Sequence, residues 1–130
     1  LWTGYLHFYG ATVSDTVYDT TFTRLLGDDP QDFSGLIAMV DGRAMGLTHY
    51  LFHRSTTRIE PICYLQDLFT APEVRGQGVG RALISGVYQA AKAAGVREVY
   101  WQTHETNSAG RLLYDKVAKH AGYIVYEQDV

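Results

Sequence analysis

The sequence has 130 residues, a length that suits one ordinary domain with a hydrophobic core. Apolar residues make up 46% and charged residues 19%, and this composition excludes a disordered or low-complexity chain. The net charge of -3 carries no basic surplus, so we expect neither nucleic acid nor an anionic membrane surface as a partner.

The single cysteine, Cys63, limits both the compartment and the chemistry. It can form no intrachain disulfide and no cysteine-rich zinc site, so we predict no metal centre and a cytoplasmic location. No apolar run reaches the ~18 residues that a membrane span needs. We also find no pattern typical of a signal peptide.

The first half of the chain predicts two helices and then three strands. Apolar residues at helical spacing indicate a helix over residues 1–9, and a second helix is expected over residues 15–26. Asp41 and Gly42 are typical of a hairpin turn between two strands. The predicted strands cover residues 35–40, 44–53 and 62–70.

The second half contains the clearest helix of the sequence, at residues 79–94, with Gly95 as its stop signal. Its apolar stripe consists of Leu83, Ile84, Val87, Tyr88 and Ala91. A strand at 96–103, a helix at 108–120 and a last strand at 123–126 are predicted to follow. The side chains expected to face inward from the second of these helices are Leu112, Leu113, Val117 and Ala118.

This order of elements predicts the fold class. No internal repeat, linker or charge block divides the chain, so we expect a single domain over residues 1–130. A hairpin followed by strand–helix–strand–helix–strand is typical of a mixed α/β sheet with helices packed against it.

A glycine-rich loop, Arg75 to Gly80, joins the third strand to the clearest helix. Glycines there allow the backbone to approach a ligand closely. The start of a helix offers unpaired N–H groups and a partial positive charge, so the segment is expected to bind a phosphate group. Arg81 either adds charge to this site or is only a solvated helix residue.

Two common phosphate motifs do not fit this loop. A nucleoside-triphosphate loop needs Gly-Lys-Ser/Thr, but Gly80 is followed by Arg81 and Ala82. A dinucleotide fingerprint that starts at Gly78 needs a third glycine where Leu83 stands. A tight turn without a ligand is the remaining structural explanation.

The loop instead resembles the pyrophosphate signature of the GNAT acetyltransferase superfamily, Gln/Arg-x-x-Gly-x-Gly/Ala. Residues 64–69 resemble the family's central strand, and residues 107–114 resemble its Asn-x-x-Ala-x-x-x-Tyr helix start. Residues 116–123 are similar to the tail of the branch that acetylates histones and polyamines. The resemblance therefore covers most of the chain with three motifs in order.

The resemblance implies an α+β fold with a mixed, mostly antiparallel sheet flanked by helices. Acetyl-CoA would lie between two splayed parallel strands, here residues 62–70 and 96–103. The family begins with a strand before its first helix, and we expect that this strand is missing from the sequence. A homodimer is also implied, with residues 123–130 as the pairing edge.

The resemblance also implies which residues hold the cofactor. The Leu68 N–H would donate to the thioester carbonyl, whereas the strand-ladder alternative gives it only a structural role. Asn107 would touch the cofactor, cap its helix, or do both. The remaining cofactor-binding residues implied by the motifs are Phe69, Thr70, Arg75, Gly76, Gln77, Gly78, Val79, Gly80 and Arg81.

The resemblance implies attack by an amine through a tetrahedral intermediate, a reaction that uses an acid and a base. Tyr114 stands at the family's general-acid position, and its alternative is a core tyrosine. Gln66 stands where polyamine-acetylating relatives carry Glu, and it cannot take up a proton. Asp67 is the ionisable neighbour. The other candidates for the base are His49, His104, Glu105 and a chain of water molecules.

The expected acceptor is a primary amine, either of a small molecule or of a protein lysine. Tyr5 and Tyr9 would line its slot by cation–π contact, with Gln66 as a further binding residue, although both tyrosines also suit a core. The sequence thus predicts an acetyl-CoA-dependent N-acetyltransferase. The alternative is a catalytically weak domain that binds acetyl-CoA as a sensor or an interaction module.

Overall fold

The structure is a computed structural model that describes all of residues 1–130, and its centre is one four-stranded sheet. The strands are β1 (Ser34–Val40), β2 (Arg43–His53), β3 (Ile62–Thr70) and β4 (Val99–Tyr100), in that spatial order. The first three pair antiparallel, and β3 pairs with β4 in parallel. The expected mixed sheet is therefore confirmed.

Four helices lie around this sheet. They are α1 (Trp2–Phe8), α2 (Asp15–Leu26), α3 (Val79–Ala93) and α4 (Ser108–Val117), and a short 3-10 turn covers Pro72–Val74. Neighbouring residues of β2 show that α1 and α3 cover opposite faces. Tyr50 belongs to the same buried cluster as Ile84 of α3, whereas the His49 ring contacts the Trp2 ring of α1.

The core lies between the sheet and α3. The predicted α3 stripe is confirmed, since Leu83, Ile84, Val87 and Ala91 are buried. Tyr88 is half-buried, and its hydroxyl donates to the Val117 carbonyl at 2.9 Å. That bond ties α3 to the end of α4. Burial of side chains as large as Leu83, Ile84 and Val87 contributes about 1.5–3 kcal/mol each. The packing of α3 on the sheet therefore fixes the position of the start of α3.

Cys63 lies inside this core and is fully inaccessible to solvent. Burial raises the pKa of its thiol to about 11. The thiolate is the reactive form of cysteine, so Cys63 is a packing residue.

A β-bulge interrupts β3 at Gln66. The register runs from His49 opposite Asp67 to Tyr50 opposite Leu65, which leaves Gln66 without a partner and exposed. The extra residue restarts the side-chain alternation. Asp67 therefore shares a face with Tyr64 and lies toward α1.

The last predicted strand is wrong. Residues 118–130 have no regular structure, and the side chains of Tyr123 and Tyr126 are each 89% exposed. The alternation of this segment suits a strand, but no neighbouring strand of this chain offers it hydrogen bonds. None of the helices has the length and apolar character needed to cross a membrane.

Two further element boundaries and the orientation of one side chain also differ from the predictions. The helix predicted at 108–120 ends at Val117, and Leu112 lies on its outer side, 68% exposed rather than inward. The strand predicted at 96–103 shortens to Val99–Tyr100 because the chain diverges from β3 after Tyr100.

Two substitutions test the described core. Ile84→Ala should lower the free energy of unfolding by about 2–5 kcal/mol, because it leaves a cavity between α3 and the sheet. Leu112→Ala removes an exposed side chain of similar size and should change it by less than about 0.5 kcal/mol. Urea unfolding measures both, and equal losses would contradict the described burial.

Candidate active site

The site begins where β3 and β4 separate. The two strands pair only at Cys63 with Val99 and at Tyr64 with Tyr100, and β3 then continues to Thr70 without a partner on that side. The splayed parallel pair that the resemblance implied is therefore present.

The open edge of β3 presents alternate backbone groups to this cleft. The Ala71 N–H donates to the Met45 carbonyl of β2 at 2.8 Å, which sets the direction of the ladder. Because alternate residues of a strand point their N–H groups to opposite sides, Leu68 and Thr70 direct theirs into the cleft. The Leu68 side chain meanwhile packs against the core.

The glycine loop (residues 75–80) lies at the end of this edge. Gly76 and Gly78 adopt φ values of +79° and +84°, which side chains resist, and open space surrounds both α-carbons. The backbone N–H groups without a backbone partner are those of Gly76, Gly78, Val79, Gly80 and Arg81. These groups lie at the N-terminus of α3, where the helix dipole favours an anion.

Two residues of the loop, Gln77 and Arg75, form hydrogen bonds to neighbouring backbone carbonyls. The Gln77 N–H is used internally, because it donates to the Val74 carbonyl at 3.3 Å. Arg75 Nε donates to the Thr70 carbonyl at 3.1 Å, and its guanidinium carbon lies 5.9 Å from the ring centres of Phe8 and Phe69. Arg75 thus connects the loop to α1.

Arg81 projects from the first turn of α3 into solvent and makes no hydrogen bond or ion pair. Its sequence position leaves its charge near the free N–H groups, in keeping with both alternatives considered for it.

Tyr114 lies on α4, and Asn107 lies at the start of that helix. The Tyr114 side chain is half-buried and packs against the core cluster between the sheet and α3, as its alternative as a core tyrosine expects. The Tyr114 ring contacts Trp101 at 5.5 Å between ring centres. Burial, together with the neighbouring Tyr9, raises the pKa of Tyr114 to about 12, so its phenol stays protonated at neutral pH. Asn107 Oδ1 accepts from the Gly110 N–H at 3.2 Å, which confirms that it caps α4.

A groove of about 470 Å³ opens between the end of α1 and the start of α4. It is lined by Phe8, Tyr9, His104, Thr106, Asn107, Ser108 and Ala109. The Tyr9 ring lies 5.3 Å from the His104 ring and 4.9 Å from the Tyr5 ring. The aromatic side chains predicted to contact an acceptor therefore lie together beside the cleft.

Asp67 lies on the same face, below α1. Burial and the adjacent Asp67 carboxylate raise the pKa of Tyr5 far above its ordinary value, which keeps that phenol protonated. Burial, Tyr100 and Asp67 also raise the pKa of Tyr64. His49 Nδ1 lies 2.9 Å from Asp67 Oδ2. The structure therefore brings Asp67, His49 and Tyr5 together and leaves Gln66 on the surface.

The sequence did not single out Tyr64 and Tyr100 as residues near the site. Their rings stack at 5.0 Å between ring centres, beside the point where β3 and β4 separate. The interrupted alternation at Gln66 was the available signal, because a bulge there places Tyr64 and Asp67 on one face.

This geometry agrees with the comparisons to known proteins. The model of the acetyltransferase (GNAT) family matches residues 2–118. The chain belongs to the GNAT acetyltransferase family. Enzymes of this family use acetyl-CoA, and a free strand edge leading to unpaired N–H groups fits the amide-bearing arm and the pyrophosphate of that molecule.

Individual relatives agree with the family. The chain is 34% identical over 130 residues to D-amino-acid N-acetyltransferase HPA3 of Saccharomyces cerevisiae (strain ATCC 204508 / S288c), and the match covers 99% of this chain and 81% of that protein.

Two solved structures share the fold. An integron cassette protein from the mobile metagenome of Cole Harbour Salt Marsh has a TM-score of 0.84 at 19% identity, covering 100% of this chain and 80% of that one. The structure of AAC(6')-Iy in complex with the bisubstrate analogue CoA-S-monomethyl-acetylneamine has a TM-score of 0.78 at 21% identity, covering 90% of this chain and 81% of that one. These comparisons do not assign the chain to the branch of the family that acetylates histones and polyamines.

Proposed function

We propose that residues 1–130 act as one catalytic unit that transfers the acetyl group of acetyl-CoA to the primary amine of a small molecule. The observation that carries this proposal is the set of backbone N–H groups left free at Leu68 and Thr70 on the open edge of β3 and at Gly76 and Gly78 to Arg81 in the glycine loop and at the start of α3, with Asp67 on the neighbouring face. The similarity to a D-amino-acid N-acetyltransferase supports a small acceptor over a protein lysine.

The cofactor-binding roles follow the free groups of the backbone. The N–H groups of the glycine loop and of the first turn of α3 hold the pyrophosphate. Thr70 pairs with the pantetheine arm in the manner of an added strand. Arg75 must release the Thr70 carbonyl if that carbonyl is to join the pairing, because its Nε occupies it at 3.1 Å.

Three groups would then act on the reacting atoms. The Leu68 N–H stabilises the negative charge that develops on the thioester oxygen. Tyr114, kept protonated by burial, donates its proton to the departing thiolate of CoA. Asp67 takes up a proton from the acceptor ammonium so that the nitrogen lone pair can attack.

The acetyl group passes directly from the thioester to the amine. The only thiol of the chain belongs to Cys63, which is fully buried on the α3 side of the sheet and has a raised pKa. This placement supports direct attack over transfer through an acetylated cysteine.

The acceptor slot takes its character from α1 and β3. Tyr5 and Tyr9 supply aromatic faces for the cationic end of an amine, and Asp67 supplies the negative charge. Gln66, exposed on its bulge, can bind an acceptor by its amide but exchanges no proton.

The proposal is tested by titration calorimetry with acetyl-CoA, followed by release of free CoA thiol over a panel of acceptors. The panel contains D-amino acids, aliphatic polyamines and a lysine peptide. We expect cofactor binding and turnover on small amines. Binding without turnover on any acceptor would favour the sensor or interaction module, and turnover on the peptide alone would favour a protein substrate.

Tyr114→Phe should lower kcat by about 10²–10⁴-fold while leaving the affinity for acetyl-CoA unchanged, because it removes only the donated proton. Tyr88→Phe is the matched control, since its hydroxyl bonds the Val117 carbonyl away from the cleft. Steady-state kinetics measure both variants. An unchanged kcat in Tyr114→Phe would refute the acid role.

Gly78→Val should abolish detectable binding of acetyl-CoA, because a side chain at this φ of +84° distorts the loop beside the free N–H groups. Gly95→Val introduces similar strain, about 1–2 kcal/mol, at a φ of +74° beyond the far end of α3. Calorimetry should show near-normal affinity for the Gly95 variant. Equal losses in both variants would mean that general strain explains the effect.

We also propose a homodimer that pairs through residues 123–130. The supporting observation is the run of four exposed apolar side chains from Tyr123 to Tyr126. We expect wild-type protein to sediment as a dimer and the Ile124→Lys variant to sediment largely as a monomer. The Leu112→Lys variant, changed at an exposed position of α4, should remain a dimer. A monomeric wild-type protein would contradict this proposal.

A further inference from the structure

His49 and Asp67 form the most enclosed polar pair of the sheet. They stand opposite each other in the register of β2 and β3, so their side chains share one face. Only 9% of the His49 side chain and 13% of the Asp67 side chain are exposed. The contact of 2.9 Å between Nδ1 and Oδ2 is a short, direct hydrogen bond.

The surroundings of His49 hold its ring in one place. The Trp2 ring meets it edge-on at 5.8 Å between ring centres, and the Phe33 ring lies at 6.2 Å. Gly35 of β1 is its neighbour across the strands, and a Cβ there would lie 3.5 Å from the His49 ring. Aromatic rings and the neighbouring strand thus fix the imidazole between β1 and α1.

The chemistry of the pair fixes the direction of the hydrogen bond. An ionised carboxylate only accepts hydrogen bonds, so His49 Nδ1 carries a proton and donates a hydrogen bond to Asp67 Oδ2. A largely buried carboxylate needs such a donor, since removing it from water without a partner is costly. With Oδ2 bonded to His49, the other carboxylate oxygen remains for the acceptor.

We infer that His49 is a positioning residue for acetyl transfer: its Nδ1–H holds the Asp67 carboxylate in the orientation that receives the proton of the acceptor ammonium. This inference rests on the proposed function. One proton leaves the ammonium nitrogen and bonds to the free oxygen of Asp67, while His49 keeps its Nδ1 proton throughout. The nitrogen retains the electron pair with which it attacks the thioester.

The other imidazoles near the site do not offer this arrangement. His53 Nδ1 bonds the Arg54 carbonyl and its Nε2 bonds the Tyr100 hydroxyl, so both nitrogens are used away from Asp67. His104 packs against Tyr9 at the groove. The position of His49 opposite Asp67 therefore distinguishes it from His53 and His104.

A double-mutant cycle separates positioning from structural support. The variants are His49→Ala, Asp67→Asn and the combination, assayed for kcat and KM of the amine accepted best by the wild type at saturating acetyl-CoA. His49→Ala should lower kcat/KM by about ten- to a hundred-fold through misplacement of the carboxylate. Once Asp67 is Asn, the same change should cost little more, because the two residues act as a unit.

Two companion variants serve as controls. His49→Asn places an amide N–H at the δ position and should recover much of the activity that His49→Ala loses. His53→Ala removes a histidine of the same strand and should leave the kinetics near those of the wild type. The affinity for acetyl-CoA and the midpoint of thermal unfolding are measured for every variant. An unfolded His49→Ala protein would shift the test to His49→Asn against His49→Gln, whose amide extends one bond further and should activate less.

The outcomes distinguish this inference from the function on which it depends. Amine turnover by the wild type with unaltered kinetics in His49→Ala would overturn the role of His49 alone. Independent, multiplicative losses in the double mutant would also overturn it, because His49 would then act without Asp67. Absence of amine turnover by the wild type would instead refute the proposed function, and the role of His49 with it.

Discussion

The separation of β3 from β4 after only two paired residues is the constraint on which the site depends. Beyond Tyr64 and Tyr100, β3 keeps its antiparallel ladder with β2 but has an open second edge. Backbone groups in a sheet are ordinarily paired, so a strand edge left open inside a protein is able to pair with another extended group. The bulge at Gln66 acts on the same stretch of chain, since it directs Asp67 and Tyr64 toward α1 while Leu68 packs toward α3.

The two ends of the cleft are held by different forces. At the glycine loop, the apolar side of α3 packs on the sheet and thereby fixes the free N–H groups of its first turn. Beside α1, aromatic rings and one buried histidine surround the Asp67 carboxylate, and hydrogen bonding controls its orientation. Arg75 connects these ends by bonding β3 and lying against Phe8 of α1.

Much of this arrangement could be predicted from local sequence. The stripe from Leu83 to Ala91 has helical periodicity, and the glycine loop combines residue types that suit a phosphate-binding helix start. The prediction of a strand at 123–126 was wrong because alternation indicates a suitable face but not whether a partner strand exists. The prediction that Leu112 faces inward was wrong because only one side of α4 is covered by the rest of the protein. The contact of His49 with Asp67 joins residues 18 positions apart, and their register depends on a bulge that periodicity cannot locate.

The most direct test of the account is a titration of the ¹⁵N-labelled protein with coenzyme A, followed by the chemical shifts of its backbone amides. The account predicts that the largest changes fall on Leu68, Thr70, Gly78 and Val79, the amides that the open edge and the helix start leave free. Changes confined to α2 or to residues 118–130, with those amides unaltered, would contradict it.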